Sequence, residues 1–153
     1  MKSITKLAAV AAAMAMLATV PQAAAAASPS EAAKLRRLDI MLMVSSLRCR
    51  FGADNFQADY ARFSTNQYPV MQDAFKTLEA DYNARMGPAR AKKALDSVSV
   101  GMANQYGLGH PWLGCGELKS ATRELASTRD RARLIAAADE MLGERPPQFA
   151  SRR

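Results

Sequence analysis

SPSEAAKLRRLDIMLMVSSLRCR, residues 28–50, is the stretch whose reading decides the fold. Ser28, Pro29 and Glu31 make a helix start: Ser28 can cap, Pro29 suits the first helical position, and Glu31 stands where a capping box needs a carboxylate. The helix is predicted to run to about Arg50, with Gly52 beyond it. One face carries Leu35, Leu38, Leu42 and Cys49; a second carries Ile40, Val44, Leu47 and Phe51. Residues 40–44 are apolar without a break, interrupted upstream only by Asp39, which is placed to pair with Arg36 one turn back. A helix apolar on nearly every side belongs in the middle of a bundle.

The rest of the chain supplies helices to surround it. Asp54 or Asn55 can cap a second helix, in which Phe56, Tyr60 and Phe63 share a face suited to core packing. Ser64, Thr65, Asn66 and Pro69 read as a break. A third helix carries Met71, Phe75, Leu78 and Tyr82 and ends at Gly87. Pro88 opens a fourth, with Leu95, Val98, Met102 and Tyr106 in a stripe, small residues at Ala91, Gly101 and Ala103, and Gly107 as its end. After the loop 108–114, a fifth helix from near Glu117 carries Leu118, Thr122 and Leu125. Ser127 to Asp130 reads as a capping box for a sixth helix, with Leu134, Ala137, Ala138, Met141 and Leu142 inward and Gly143 as its stop. No stretch alternates with period two, and no internal repeat is present. The prediction is an all-α domain over residues 28–143: five or six helices around a central apolar N-terminal helix, with one disulfide. Residues 144–153, which hold Arg145, Arg152 and Arg153, read as a flexible basic tail.

Ahead of the helical domain, Lys2 and Lys6 precede a 14-residue apolar run from Leu7 to Val20, and small residues follow Pro21 and Gln22. That is the layout of a cleaved secretory signal over residues 1–27. The run is shorter than the roughly 20 residues that span a bilayer. No later stretch approaches that length, so no transmembrane segment is expected in the mature chain. Cleavage after Ala27 leaves 126 residues, enough for a core that folds without cross-links. Without Lys2 and Lys6 the chain keeps 19 basic and 14 acidic groups, a net charge of +5. The charge is spread out and lacks the aromatic-studded basic stripe of a nucleic-acid groove, so nucleic acid is not the expected partner.

The stretch 104–117, NQYGLGHPWLGCGE, concentrates the unusual residues: the only His, the only Trp, one of the two cysteines and four of the eight glycines. In an exported chain, an even count of two implies a bridge between Cys49 and Cys115. His110 is the one candidate general base near neutral pH. Cys115, five residues on and near a helix start, completes a Cys–His pair on paper, but no oxyanion-hole or third-residue pattern accompanies it. Cys49, His110 and Cys115 give three soft ligands without the spacing of a metal site, and no phosphate-cradling or dinucleotide motif is present. No metal and no cofactor are therefore expected. A carboxylate pair drawn from Glu79, Glu117 and Glu124 is the remaining catalytic option. The bland alternative makes the loop structural: glycines for the reversal, Trp112 as a plug, Cys115 as a tie to the central helix. Tyr106, His110 and Trp112 are then the candidate contacts for a ligand or partner.

Residues 38–43 (LDIMLM), 47–50 (LRCR), 55–60 (NFQADY) and 110–115 (HPWLGC) resemble a group of small exported proteins of unknown function from alphaproteobacteria. The resemblance implies that both cysteines and the His-Pro-Trp loop belong to the group's design; it implies no activity. Similar chains are sometimes labelled adenosylhomocysteine hydrolase. This sequence is too short for that enzyme, has no dinucleotide fingerprint, and carries a signal that would separate it from cofactor and substrate. The reading is a periplasmic or secreted helical protein, a non-catalytic binding or envelope-associated one rather than an enzyme, with its partner unspecified. The alternative is a small periplasmic hydrolase using His110 or a carboxylate pair. Mature protein recovered from a periplasmic fraction is expected to begin at Ala26 or Ser28. N-terminal sequencing checks this, and a chain starting at Met1 in the cytoplasm would remove the export reading.

Overall fold

A computed structural model of the chain describes residues 26–143. The expected basic tail and all but the last two residues of the expected signal lie outside them. Six helices and no strand are found among the described residues: α1 Pro29–Arg48, α2 Gln57–Asn66, α3 Tyr68–Met86, α4 Pro88–Tyr106, α5 Cys115–Ser127 and α6 Arg131–Leu142. None is long and apolar enough to cross a membrane.

Helix α1 forms where its cap residues predict. The Ser28 side chain accepts the Glu31 amide, and the Glu31 carboxylate accepts the Ser28 N–H at 2.9 Å. The helix touches all five others, so it is the axis of the bundle. Leu35, Leu38, Ile40, Met41 and Leu42 are fully enclosed. The second predicted face holds only in part. Ile40 is buried and Val44 packs at the margin, but Leu47 and Phe51 are exposed. The reason is local: α1 ends at Arg48, two residues before the predicted end, and the bridge turns Cys49 inward. Leu47 and Phe51 are left on the outer side.

Several boundaries differ from the reading of the sequence, each for a physical reason. Pro69 begins α3 rather than breaking the chain, because a proline in a first helical turn removes an N–H that has no partner there. Only Gln67 separates α2 from α3. Its buried amide donates to the carbonyls of Leu125 and Thr128, both at 2.8 Å, and Asn66 donates to Ala126 O at 2.9 Å. The polar run read as a helix breaker thus satisfies the last carbonyls of α5, which have no partner within their own helix. Asn55 caps α2 from one residue upstream of its first turn, accepting the Gln57 amide at 3.0 Å. Helix α5 starts at Cys115, two residues before Glu117, because the Glu117 carboxylate reaches back to the Gly114 N–H at 2.9 Å. The predicted Ser127 capping box does not form. Asp130 is itself the cap of α6, accepting the Ala132 amide at 2.9 Å.

Polar seams fix the outer helices. Asp59 on α2, nearly enclosed, takes two hydrogen bonds from Arg123 on α5, at 3.1 and 3.2 Å. That pairing holds its carboxyl below the usual range against the opposing effect of burial. Asp39 pairs with Arg36 at 3.4 Å as predicted and also accepts the Tyr60 hydroxyl at 3.0 Å. Burial raises the Asp39 carboxyl, while Tyr60 and Arg36 pull it down.

Cys49 and Cys115, 66 positions apart in the chain, are bridged, with Cα atoms 5.7 Å apart. The bridge ties the end of α1 to the start of α5. A Cys49→Ser/Cys115→Ser double variant is expected to fold but to lose up to ~4 kcal/mol of stability by the loop-entropy account. Denaturant titration measures the loss. Hydrogen exchange should show the loop 107–114 loosening more than the helices.

Candidate functional site

The Gly-rich loop is held from several directions. Gly107, predicted as the end of α4, has an ordinary helical backbone (φ −60°). The reversal falls two residues later at Gly109, whose φ of 121° suits only glycine. Arg48 at the end of α1 donates to Leu108 O at 3.5 Å. The bridge secures the other end of the loop.

Three rings stack inside this frame. Tyr106 and His110 lie nearly parallel with centroids 5.4 Å apart, and His110 meets Trp112 edge-on at 4.7 Å. Both nitrogens of His110 are engaged by backbone. Nδ1 faces the amides of Leu113 at 3.2 Å and Trp112 at 3.4 Å, so it must accept. Nε2 lies 2.9 Å from Met141 O, so it carries the proton and donates. This arrangement requires the neutral ring. Burial lowers the His110 pKa below its ordinary 6.5, opposed by the bond to Met141 and by the Glu117 charge. A histidine held in this way is a clamp between the loop and the end of α6, with no ring nitrogen left to take a substrate proton.

The predicted contact residues therefore come together, but not equally at the surface. Tyr106 is 1% exposed and acts as a floor beneath His110. Trp112 is half-buried, and its indole N–H has no partner among the described residues. Of the carboxylates, Glu117 and Glu124 line one groove between α5 and α6, with Glu140 and Arg133 over Leu125 and Met141, a space of about 260 Å³. Glu117 is committed to the Gly114 amide and Glu124 to Arg133, so neither is a free acid. Glu79 lines a different groove with Phe75 and Lys92. The bridge removes both sulfurs from any nucleophile or metal role. No three His, Cys, Asp or Glu side chains gather as a metal site among the described residues.

Two features escaped the sequence reading. The first is the surface of the disulfide end, where Leu47 is 48%, Phe51 79% and Leu108 91% exposed. Arg48 reaches Leu108, and Arg50 donates to Leu47 O at 3.2 Å while lying 4.5 Å over the Phe51 ring. Neither arginine has a carboxylate partner among the described residues, whereas Arg36, Arg62, Arg85, Arg123 and Arg133 do. The sequence signal was present: a helix whose final Cys must face inward puts Leu47 outward. The second is a groove beside α1, lined by Arg36 and Arg37 together with residues of α3 and α4. Comparison with protein-family models, curated proteins and solved structures finds no match to this chain.

The His110 clamp has a pH consequence. A ring whose folded pKa lies below its unfolded one binds fewer protons folded than unfolded as the pH falls. Stability is therefore expected to decline as the pH drops through and below 6.5, and His110→Gln should remove that dependence while lowering stability at pH 7. Melting temperatures of both proteins from pH 7 to 5 check this.

Proposed function

We propose that this chain is an exported, non-catalytic helical protein that associates with the envelope through its disulfide end. The observation that carries the reading is the pairing of rigidity with exposure. Gly109, the His110 clamp, the bridge and Arg48 hold one loop, and the large apolar residue it presents to water is Leu108, at the same disulfide end where Leu47 and Phe51 flank Cys49 and are also exposed. Side chains that project apolar atoms from a fixed frame are suited to contact. The adjacent Arg48 and Arg50, unpaired with acids, suit a surface of anionic lipid headgroups. Of the carboxylates in this part of the chain, Glu117 accepts from the Gly114 amide, and Asp54 packs against Gly116 on the α5 side.

Export is supported by the signal-like residues 1–27, by the Cys49–Cys115 bridge, which persists in oxidising compartments, and by the resemblance to small exported alphaproteobacterial proteins. The non-catalytic reading is supported by the engagement of both His110 nitrogens and of Glu117 and Glu124.

Vesicle flotation of the mature protein tests the proposal. Binding is expected to phosphatidylglycerol vesicles and not to phosphatidylcholine ones. It should weaken with salt, since surface charge is screened, and by about tenfold in Leu108→Ser or Phe51→Ser, each of which removes one apolar side chain from burial. Indifference of binding to these two substitutions, or no binding to phosphatidylglycerol at all, would overturn it.

A further inference from the structure

Helices α3 and α4 do not close over α1 along their whole length. They leave a groove of about 460 Å³, within the size range of small-molecule sites. Its walls are apolar, from Leu78 on α3 and Leu95, Val98 and Met102 on α4. Leu78 and Met102 are core residues, so the groove reaches down to the packed interior. Two guanidiniums, Arg36 and Arg37 of α1, line it, and no Asp or Glu does. They differ in availability. Arg36 is shared with Asp39 and Ser99, both at 3.4 Å, and lies 5.8 Å from the Phe75 ring. Arg37 is exposed, with its charge felt at Tyr106 but with no hydrogen-bond or ion-pair partner among the described residues. Asp81, in the adjoining hollow that shares Ala33, Leu78 and Tyr82 with the groove, is paired with Arg85.

We infer that this groove binds a single-chain anionic amphiphile, the alkyl chain lying between α3 and α4 and the headgroup meeting Arg37. The inference is independent of the disulfide-end surface and stands if that reading fails. An apolar trough alone would accept any hydrocarbon. The selection comes from Arg37, a cation at a wall that no Asp or Glu lines, with Arg36 beside it already shared with Asp39: a guanidinium is matched in shape and charge to a carboxylate or phosphate. The chemistry is common to a fatty acid and to a lysophospholipid or alkyl phosphate, and the headgroup tells these sources apart.

Gly101 supplies a test that does not damage the fold. It lines the groove in the interior of α4, and a Cβ built there meets nothing within 4 Å. Gly101→Leu should therefore extend into the trough, and it replaces a poor helix former with a good one. Calorimetric titration of the full mature protein with dodecanoate, dodecyl phosphate and dodecanol, each below its aggregation concentration, reads the outcome. Saturable binding of one or both anions is expected, the tighter one naming the headgroup, with dodecanol at least tenfold weaker. Arg37→Gln should weaken anion binding by about tenfold, the loss of one charge-assisted hydrogen bond. Gly101→Leu should abolish binding while melting at or above the wild-type temperature. No saturable binding of either anion, dodecanol as tight as the anions, or unchanged affinity in a folded Gly101→Leu would each overturn the inference.

Discussion

Helix α1 carries apolar side chains in nearly every direction, and taking them out of water requires partners on all sides. Leu35, Leu38, Ile40, Met41 and Leu42 are fully enclosed. At about 1.5–3 kcal/mol for each such side chain, their burial rivals the whole net stability of a typical domain. The surrounding helices are arranged to meet that demand, which is why all five touch α1 while α5 and α6 stand far enough apart to leave a groove between them. The openings along the bundle are places where the surrounding helices close incompletely against one another.

The contacts that orient the outer helices are mostly polar and directional. Arg123 fixes α5 to α2 through Asp59; Gln67 and Asn66 hold the far end of α5; Tyr60 and Arg36 meet on Asp39. Apolar burial is indifferent to rotation of a helix about its axis by a few tens of degrees, whereas a bidentate guanidinium pair is not. A similar division holds at the loop, where the bridge limits distance and the His110 hydrogen bonds set orientation.

Much of this was legible in the residues. The 3.6-residue stripes placed all six helices, and the capping box at Ser28 and Glu31 placed the start of α1. The even cysteine count gave the bridge. Less legible were features in which a polar side chain acts across the fold. Nothing local in Ser64–Gln67 says that Gln67 will close the end of a helix 58 positions away. Nor does His110 announce that both its nitrogens will be taken by backbone, since the Met141 carbonyl comes from α6, 31 positions along the chain. The apolar pattern overreached at Leu47 and Phe51, because periodicity reports hydrophobicity and not the burial that helix ends remove. The groove at Arg36 and Arg37 was invisible because it arises from an imperfect meeting of α3 and α4.

The position of α1 in the chain has a consequence for synthesis. The helix that every other described helix covers is the first of the six in chain order, and so is synthesised before them; α3, its most extensive partner, begins 20 residues after α1 ends. Until those residues follow, the run 38–44 has nothing to pack against but itself and its surroundings. During synthesis the apolar run 40–44 therefore precedes the helices that will enclose it. The enclosure of α1 is complete only when α6, which ends at Leu142, has been added.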